Sequence, residues 1–561
     1  MIFDIFKAED KFREGGVSPT VLTILDGWGI APDSPGNAIT QAKKPNFDYL
    51  MANYPHGELV AAGESVGLPA NEVGNTEVGH LNIGAGRLIL QDLKRIDTSI
   101  KSGTFFENRA FATAISLAKQ NKTRLHIMGL ISSGRVHSSL DHLFALIDLC
   151  KNSGMTNVYY HLFTDGRDSV PTEGIQTITK IEERIKTAGV GKIATISGRY
   201  YAMDRDRRWE RTQKAYEAMV SGVGLSGSEP IETIKNYYSK NITDEFIEPT
   251  IFDKSGVVST GDAVIFFNFR IDRPRQLTMA FTLPDFEKLK SFEFEKDPEK
   301  GGRKTEEQKF DATFQRSKFI ANLFFVTMTE YDKKIPVSAI AYPPEVIKNS
   351  LAEVIAASNF RQMHMSESEK ERFVTYYFDG LKEGRFAGEE VMIIPSPKVA
   401  TYDKKPEMSA YKLADIAKKV ILSGNYNFIA INIANPDMVA HTGNLNATTA
   451  AVEAADKALG EIIKAVSLAR GNLIVTADHG NAEELITYPE SSFFFTTEAG
   501  TVNTDHSGSN VPIIIMSPAL AGKVVFLPKG SLADVAPTAL KLMGLAVPPE
   551  MKGRDLLSVG N

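Results

Sequence analysis

Only one cysteine, Cys150, occurs in 561 residues. No intrachain disulfide can form, and the chain is expected in a reducing compartment, the cytoplasm. Cys150 lies in the apolar run LFALIDLC and reads as a buried packing thiol. No unbroken apolar stretch reaches the ~18 residues of a membrane span. The opening residues MIFDIFKAEDKFREGG break their short apolar patches with charge, unlike a signal peptide. A basic excess is also missing: the formal net charge is −6, with both signs spread along the chain. That argues against a nucleic-acid surface. It leaves a small anionic ligand open, because local arginines matter more than net charge. No internal repeat is evident. The expectation is a monomer that binds a small molecule, with no nucleic-acid or membrane partner.

The length suggests more than one domain. The first clear strand is VLTILDGWGI, from Val21 to Ile30, apolar and β-branched, running into Asp26 and Gly27. Similar strands recur late, at 426–437, 471–480 and 511–520, with a helical pattern at 447–466 between the first two. Strand–helix alternation of this kind predicts a doubly wound α/β domain with a buried, mostly parallel sheet. Ligands collect at the carboxyl ends of such strands, where Asp26, Asp437 and Asp478 are placed. The middle of the chain has its own α/β pattern. Strands are expected at 123–132, 157–166 and 192–199, with helices at 138–154 and 174–189. Two α/β domains follow: an outer, discontinuous one from 1–90 and 345–561, and a middle one, 91–344, inserted into it. The prolines of PPE at 343–345 suit a hinge. The charged stretch 285–318 reads as a solvated surface insertion.

The outer segments hold metal-type residues. ANPDMVAH sets Asp437 and His441 four apart, on one face of a helical turn. TADHG gives Asp478 and His479 at a strand end, and DHSGSN gives His506 just before another strand. With Asp26 these make mixed carboxylate and imidazole donors, suited to two ions of manganese, zinc or magnesium type. Any one pair could be structural; the concurrence of four segments favours metal. VGNTEVGH carries Thr76 among glycines. It reads either as a helix N-cap or, beside a metal, as a nucleophile. The middle segments supply arginines. TDGRD gives Arg167 and Asp168, SGRYYAMDRDRRWER gives Arg199, Arg205, Arg207 and Arg208, and FNFRIDRPRQ gives Arg270, Arg273 and Arg275. Guanidinium forks match phosphate and carboxylate oxygens. Surface ion pairs are the expectation for Arg207, Arg208 and Arg275, and a bound anion for those next to glycine or asparagine at strand ends.

These motifs, with GNTEVGHLNIGAGR, SSGRVHS, SESEK and IPSPKVATYDKKPEMSA, run in order over nearly the whole chain, from about Pro19 to Asp555. The chain resembles the cofactor-independent phosphoglycerate mutases of the alkaline phosphatase superfamily. The resemblance implies an alkaline-phosphatase-like outer domain and a substrate-binding middle domain. It implies two Mn2+, or Mg2+, Co2+ or Zn2+ in their place, and no 2,3-bisphosphoglycerate. Asp26, Thr76, Asp478 and His479 would hold one ion, and Asp437, His441 and His506 the other. Thr76 stands at the position of the family's serine nucleophile. His137, Arg167, Asp168, Arg199 and Arg205 match substrate-binding positions, Arg270 and Arg273 match the arginines on the phosphoryl group, and Lys370 of SESEK matches a lysine at the site. The implied reaction interconverts 3-phosphoglycerate and 2-phosphoglycerate in glycolysis through a phosphorylated enzyme, with Asp168 as general base and acid. The chain departs from the pattern at Thr76, and at Arg135 and Ser139 of GRVHSS, where GGVHSH is usual. A hydrolase of the same superfamily is the competing reading, against which the middle-segment motifs argue. A catalytically dead binding protein would have lost metal ligands, and none is lost.

Overall fold

The computed structural model describes residues 17–292, 294, 308–309, 312–487 and 500–558. The chain divides into two compact units, Met1–Gln91 with Val346–Asn561, and Asp92–Glu345. No helix among the described residues is long and apolar enough to cross a membrane.

The two-segment unit is built on an eight-stranded sheet. In spatial order its strands are Glu389–Ile394, Gln362–Glu367, Phe428–Ile433, Thr20–Leu25, Asn472–Thr476, Val511–Met516, His56–Val60 and Gly530–Ser531. The first five run parallel, and Val511–Met516 is antiparallel to both its neighbours. Its central strands are buried along their whole length, as continuous apolar runs in a covered parallel sheet must be. The long helix Leu445–Leu468 starts at an Asn444 cap and lays Ala455, Ala458 and Ala465 into the core. Small side chains there let it lie close to the sheet.

The first strand is shorter than its apolar run, ending at Leu25 rather than Ile30. The backbone turns at Gly27, whose φ is +72°. A Cβ there would lie 2.8 Å from the Asp437 Cβ and 2.9 Å from its Cα, so the turn needs glycine twice over, for conformation and for space. The run from 426 to 437 likewise splits, into Phe428–Ile433 and a short helix, Asn435–Ala440, opened by Pro436. Proline fits the first turn of a helix, where its missing N–H has no partner to lose.

Asp92–Glu345 carries a second eight-stranded sheet. Its order is Ala339–Tyr342, Phe324–Thr329, Ala263–Phe266, Leu125–Ile131, Val158–Thr164, Lys192–Gly198, Thr250–Ile251 and Leu225–Ser226. The first six strands are parallel. Cys150 is fully buried in the helix Leu140–Asn152.

The charged stretch 285–318 falls partly outside the described residues. Its described ends are not simply solvated. Phe286, Phe294 and Phe314 are buried in one cluster, and the Arg316 side chain, 1% exposed, ion-pairs with Glu287. Arg316 also donates to the carbonyls of Ala280, Leu283 and Pro284. Arg275 is also buried rather than a surface pair. Its Nε donates to the Tyr331 carbonyl at 2.8 Å and its guanidinium lies 4.5 Å over the Phe294 ring. Arg208 does pair with Asp206 at the surface.

Close approach also governs the buried helix Thr76–Ala85. A Cβ on Gly84 would sit 2.0 Å from the Phe378 carbonyl oxygen. Gly84→Ala should therefore destabilise the protein by about 1–3 kcal/mol, seen as a lowered melting temperature. Gly508→Ala, which meets nothing within 4 Å, should leave melting unchanged.

Candidate active site

Four adjacent parallel strands deliver their next residues to one edge of the first sheet. Asp26 follows Thr20–Leu25, Asp437 follows Phe428–Ile433, Asp478 follows Asn472–Thr476, and Lys370 follows Gln362–Glu367 after one short turn. The antiparallel strand Val511–Met516 begins at that same edge. This explains why His506 precedes its strand while the aspartates follow theirs.

The result is a compact buried cluster. Lys370 Nζ donates to Asp26 Oδ1 at 2.8 Å, to Asp437 Oδ2 at 2.7 Å and to Thr76 Oγ1 at 3.0 Å. With Lys370 donating to it, the Thr76 hydroxyl can direct its own proton to His479 Nε2, 2.9 Å away. Thr76 is the first residue of its helix and not the cap. Asn75 is the cap, its side chain accepting from Val78 N at 3.0 Å. That removes the helix-cap reading of Thr76 and places its oxygen at the positive end of a helix. Gly79, one turn on, has to be glycine: a Cβ would lie 2.5 Å from the Asp478 carbonyl oxygen.

Three carboxylates in this space oppose one another. Burial, then the neighbouring Asp478 and Asp437 charges, push Asp26 up to about 7, although Lys370 pulls it down. Burial also acts to raise Asp437 and Asp478, but the groups around each outweigh it, with the Lys370 charge foremost for Asp437 and the adjoining His479 for Asp478; both sit low. Burial would lower Lys370, yet Asp26, Asp437 and Asp478 raise it far above the usual lysine range.

The donors suit divalent ions. His441 Nδ1 donates to the Thr504 carbonyl at 2.7 Å and His506 Nδ1 to the Gly74 carbonyl at 2.9 Å. Both Nε2 atoms then face Asp437 Oδ1, at 3.3 and 3.5 Å, and lie 3.2 Å from each other. Two imidazoles anchored through Nδ1, with both Nε2 atoms converging on a carboxylate, suit a metal once Nε2 is deprotonated. Around His479 Nε2 gather Thr76 Oγ1, Asp478 Oδ2 at 3.3 Å and Asp26 Oδ1 at 3.6 Å. Asp478 Oδ2 is buried with no hydrogen-bond donor. Lys370 supplies the positive charge against Asp26 and Asp437.

The motifs did not single out His80, Asn432, Asn481 or Glu483. His80 lies one helical turn after Thr76, with Nδ1 on the Thr76 carbonyl at 3.0 Å and 3.3 Å from Asp478 Oδ2. Asn432 donates to Asp26 Oδ2 at 2.6 Å and Asn481 to Asp437 Oδ1 at 2.8 Å. Glu483 accepts from Gly29 N at 3.0 Å and Asn481 N at 2.9 Å. The signal for His80 was its spacing of four from Thr76.

The second unit gathers its predicted residues at the carboxyl edge of its own sheet. Arg199, 2% exposed, ion-pairs through Nη1 with Asp165 and Asp168. Asp165 Oδ1 also accepts from the backbone N–H groups of Arg167 and Asp168, shaping the DGRD turn. His137 lies 3.6 Å from both Asp168 and Asp272, and burial pushes it down to about 3, so its ring is neutral. Asp272 pairs with Arg205 at 2.8 Å and Arg270 at 3.3 Å. Burial, then the charges of Arg199 and Arg205, lower Arg273 to about 10. Arg167 is half exposed and lies 3.6 Å from Glu245. Crowded guanidiniums that raise one another's energy would suit an anion. Sequence reasoning passed over Asp165 and Asp272, although both stand inside quoted motifs.

Residues 96–333 match the family described as BPG-independent PGAM N-terminus, and residues 281–519 match type I phosphodiesterase / nucleotide pyrophosphatase. The chain is 46% identical over 546 residues to a 2,3-bisphosphoglycerate-independent phosphoglycerate mutase of Moorella thermoacetica, covering 97% of this chain and 99% of the relative. The chain belongs to that mutase family. A relative of the same description in Thermomicrobium roseum is 46% identical, covering 96% of this chain and 97% of its own. A solved structure of Leishmania mexicana phosphoglycerate mutase at low cobalt concentration superposes with a TM-score of 0.60 at 29% identity, covering 97% of this chain and 98% of that one. Family membership makes the protein an isomerase and a divalent-metal enzyme with an alkaline-phosphatase-like unit.

Removing the lysine tests the electrostatics directly. Lys370→Met should destabilise the metal-free protein by about 3–5 kcal/mol, the usual effect of stripping one partner from a buried ion pair. Added Mn2+ should recover most of the loss in melting temperature.

Proposed function

We propose that this enzyme interconverts 3-phosphoglycerate and 2-phosphoglycerate without 2,3-bisphosphoglycerate, carrying the phosphoryl group on Thr76. The observation that carries the reading is the Thr76 hydroxyl, buried at a helix start between Lys370 Nζ and His479 Nε2. Asp437, His441 and His506 would hold one divalent ion, and Asp26, Thr76, Asp478 and His479 a second, with Mn2+ the first choice and Mg2+, Co2+ or Zn2+ as substitutes. Such ions, when bound, supply charge that polarises the phosphoryl oxygens and favours an ionised Thr76 hydroxyl.

The Thr76 oxygen forms the bond to phosphorus as the bond to the glycerate oxygen breaks. That leaving oxygen takes a proton held at Asp168, and the same carboxylate takes the proton of the other hydroxyl when it attacks in turn. Arg199 fixes Asp168, and neutral His137 stands beside it without competing as an acid. Arg167 and Arg205 suit the glycerate carboxylate, and Arg270 and Arg273 the phosphoryl oxygens. In this reading the metal-binding, phosphatase-like part is 1–90 with 345–561, the substrate-binding part is 91–344, and neither carries the whole set. Water must be kept from the phosphorylated enzyme, since it competes for the same phosphorus.

The test uses a mixture of isotopically labelled and unlabelled 3-phosphoglycerate with Mn2+, read by mass spectrometry of the product. The phosphoryl group should return to the glycerate it left, with inorganic phosphate a minor product. Scrambled labels or dominant inorganic phosphate would overturn the proposal.

Two further outcomes are expected. Thr76→Ser should keep turnover and Thr76→Ala abolish it, while Asp168→Asn lowers turnover by ~10²-fold or more; steady-state assays check all three. Metal affinity should also depend on pH. In the metal-free protein burial lowers His441, but Asp437 outweighs this and raises it to about 9. A ligand must lose that proton, so affinity should rise with pH, by up to about tenfold per unit, and level off above about 9. Calorimetric titrations with Mn2+ at several pH values measure it.

A further inference from the structure

A second buried cluster, apart from Thr76, lies among His364, Asp379 and Glu389. His364 is on the strand Gln362–Glu367, and Glu389 opens the neighbouring strand Glu389–Ile394, where it pairs with Gln362. Asp379 follows the π-helical turn Phe373–Tyr377. All three are buried, with His364 at 0% and Asp379 at 1% exposure.

Glu389 Oε2 accepts from Phe386 N at 2.7 Å, and burial, then the Glu389 charge, pushes Asp379 well above the usual carboxylate range. Both Asp379 carboxylate oxygens and Glu389 Oε1 have no hydrogen-bond partner. Among the described residues the only cation within ion-pair distance of these two carboxylates would be His364, with Nδ1 at 3.8 Å from Asp379 Oδ1 and 4.0 Å from Glu389 Oε1. Lys382, the nearest lysine to act on them, has its Nζ on the Arg385 carbonyl at 3.0 Å. Two buried carboxylates need a counter-charge or a proton.

The ring of His364 narrows the choice. Gln362 Nε2 donates to the Ala352 carbonyl at 2.8 Å, which fixes its Oε1 toward His364 Nε2 at 3.2 Å. His364 Nδ1 meets the Val374 carbonyl at 2.8 Å. A neutral imidazole has one N–H, so one of these contacts sets two lone pairs face to face. A cation on Nδ1 removes that conflict and leaves the Nε2 proton for Gln362. Val374 is itself set up by the π-helical turn. Phe378 N bonds five residues back to Phe373 O, and Asp379 N four back to Thr375 O, so the register step passes over the Val374 carbonyl. Such steps recur at functional sites.

We propose that His364 Nδ1, the Val374 carbonyl and the carboxylates of Asp379 and Glu389 bind a divalent transition-metal ion. His364 Nδ1 lies 3.8 Å from Asp379 Oδ1 and 4.0 Å from Glu389 Oε1, separations that bonds of ~2.0–2.2 Å to a common centre can bridge. One nitrogen with carboxylate and carbonyl oxygens suits zinc or manganese, and a dication balances the two carboxylates. Burial pushes the His364 imidazole down to about 4, which favours a lone pair on Nδ1 over an imidazolium. The ion would tie the ends of two strands to the segment that carries Lys370.

The test counts metal. Full-length protein, stripped by chelation and equilibrated with Zn2+, should retain one more zinc per chain than Asp379→Asn or Glu389→Gln, measured by plasma mass spectrometry. Equal counts in all three would overturn the site and leave the two carboxyls sharing a proton. Anomalous scattering at the zinc edge, from crystals of the unsubstituted chain grown with Zn2+, keeps the test open if a variant does not fold. A peak beside His364 Nδ1 supports the site; a peak at His441 and His506 with none at His364 overturns it.

Discussion

Three buried aspartates packed against one lysine set the terms for this unit. Asp26, Asp437 and Asp478 are each at or below 1% exposure, and carboxylates in such a place must be paired, protonated or bound to metal. Lys370 answers Asp26 and Asp437 directly, His441 and His506 also crowd Asp437, and His479 crowds Asp478. The same demand accounts for the choice of neighbours. Asn432 and Asn481 bring N–H donors without charge. Gly27 and Gly79 let backbone and carboxylates come closer than any side chain would allow.

The parallel sheet makes this concentration of charge feasible. Each strand spends its apolar residues inside, and the short segment after it brings a charged residue to a common edge. The side chains therefore arrive on rigid supports, positioned by strand register and not by loop conformation. The second sheet repeats the device with opposite emphasis. It delivers arginines held by Asp165, Asp168 and Asp272, so that the guanidiniums of Arg199 and Arg205 are oriented by carboxylates. The lowered Arg273 marks where the local charge is least satisfied.

Much of this was legible in the sequence. Both sheets showed as apolar runs, and Asp26, Asp437, His441, Asp478, His479 and His506 stood at their ends in short motifs. What was not legible depends on three-dimensional packing. The strand ends at Leu25 because Gly27 must clear Asp437, a residue more than 400 positions away. Thr76 could have been a cap until Asn75 was seen to fill that role. Arg275 looked like a surface residue because charge in a basic motif carries no sign of burial. Asp165 and Asp272 work through other side chains, and the His364 cluster joins three segments that no motif connects.

The central claim is that the Thr76 oxygen, and no other, carries the phosphoryl group. The direct measurement is rapid acid quenching of the enzyme during turnover of 3-phosphoglycerate with Mn2+, followed by peptide mass spectrometry. Phosphate on the peptide spanning Thr76, appearing before product accumulates, is the predicted result. A phosphoryl group on a different side chain, or a Thr76 that stays unmodified through full turnover, would contradict it.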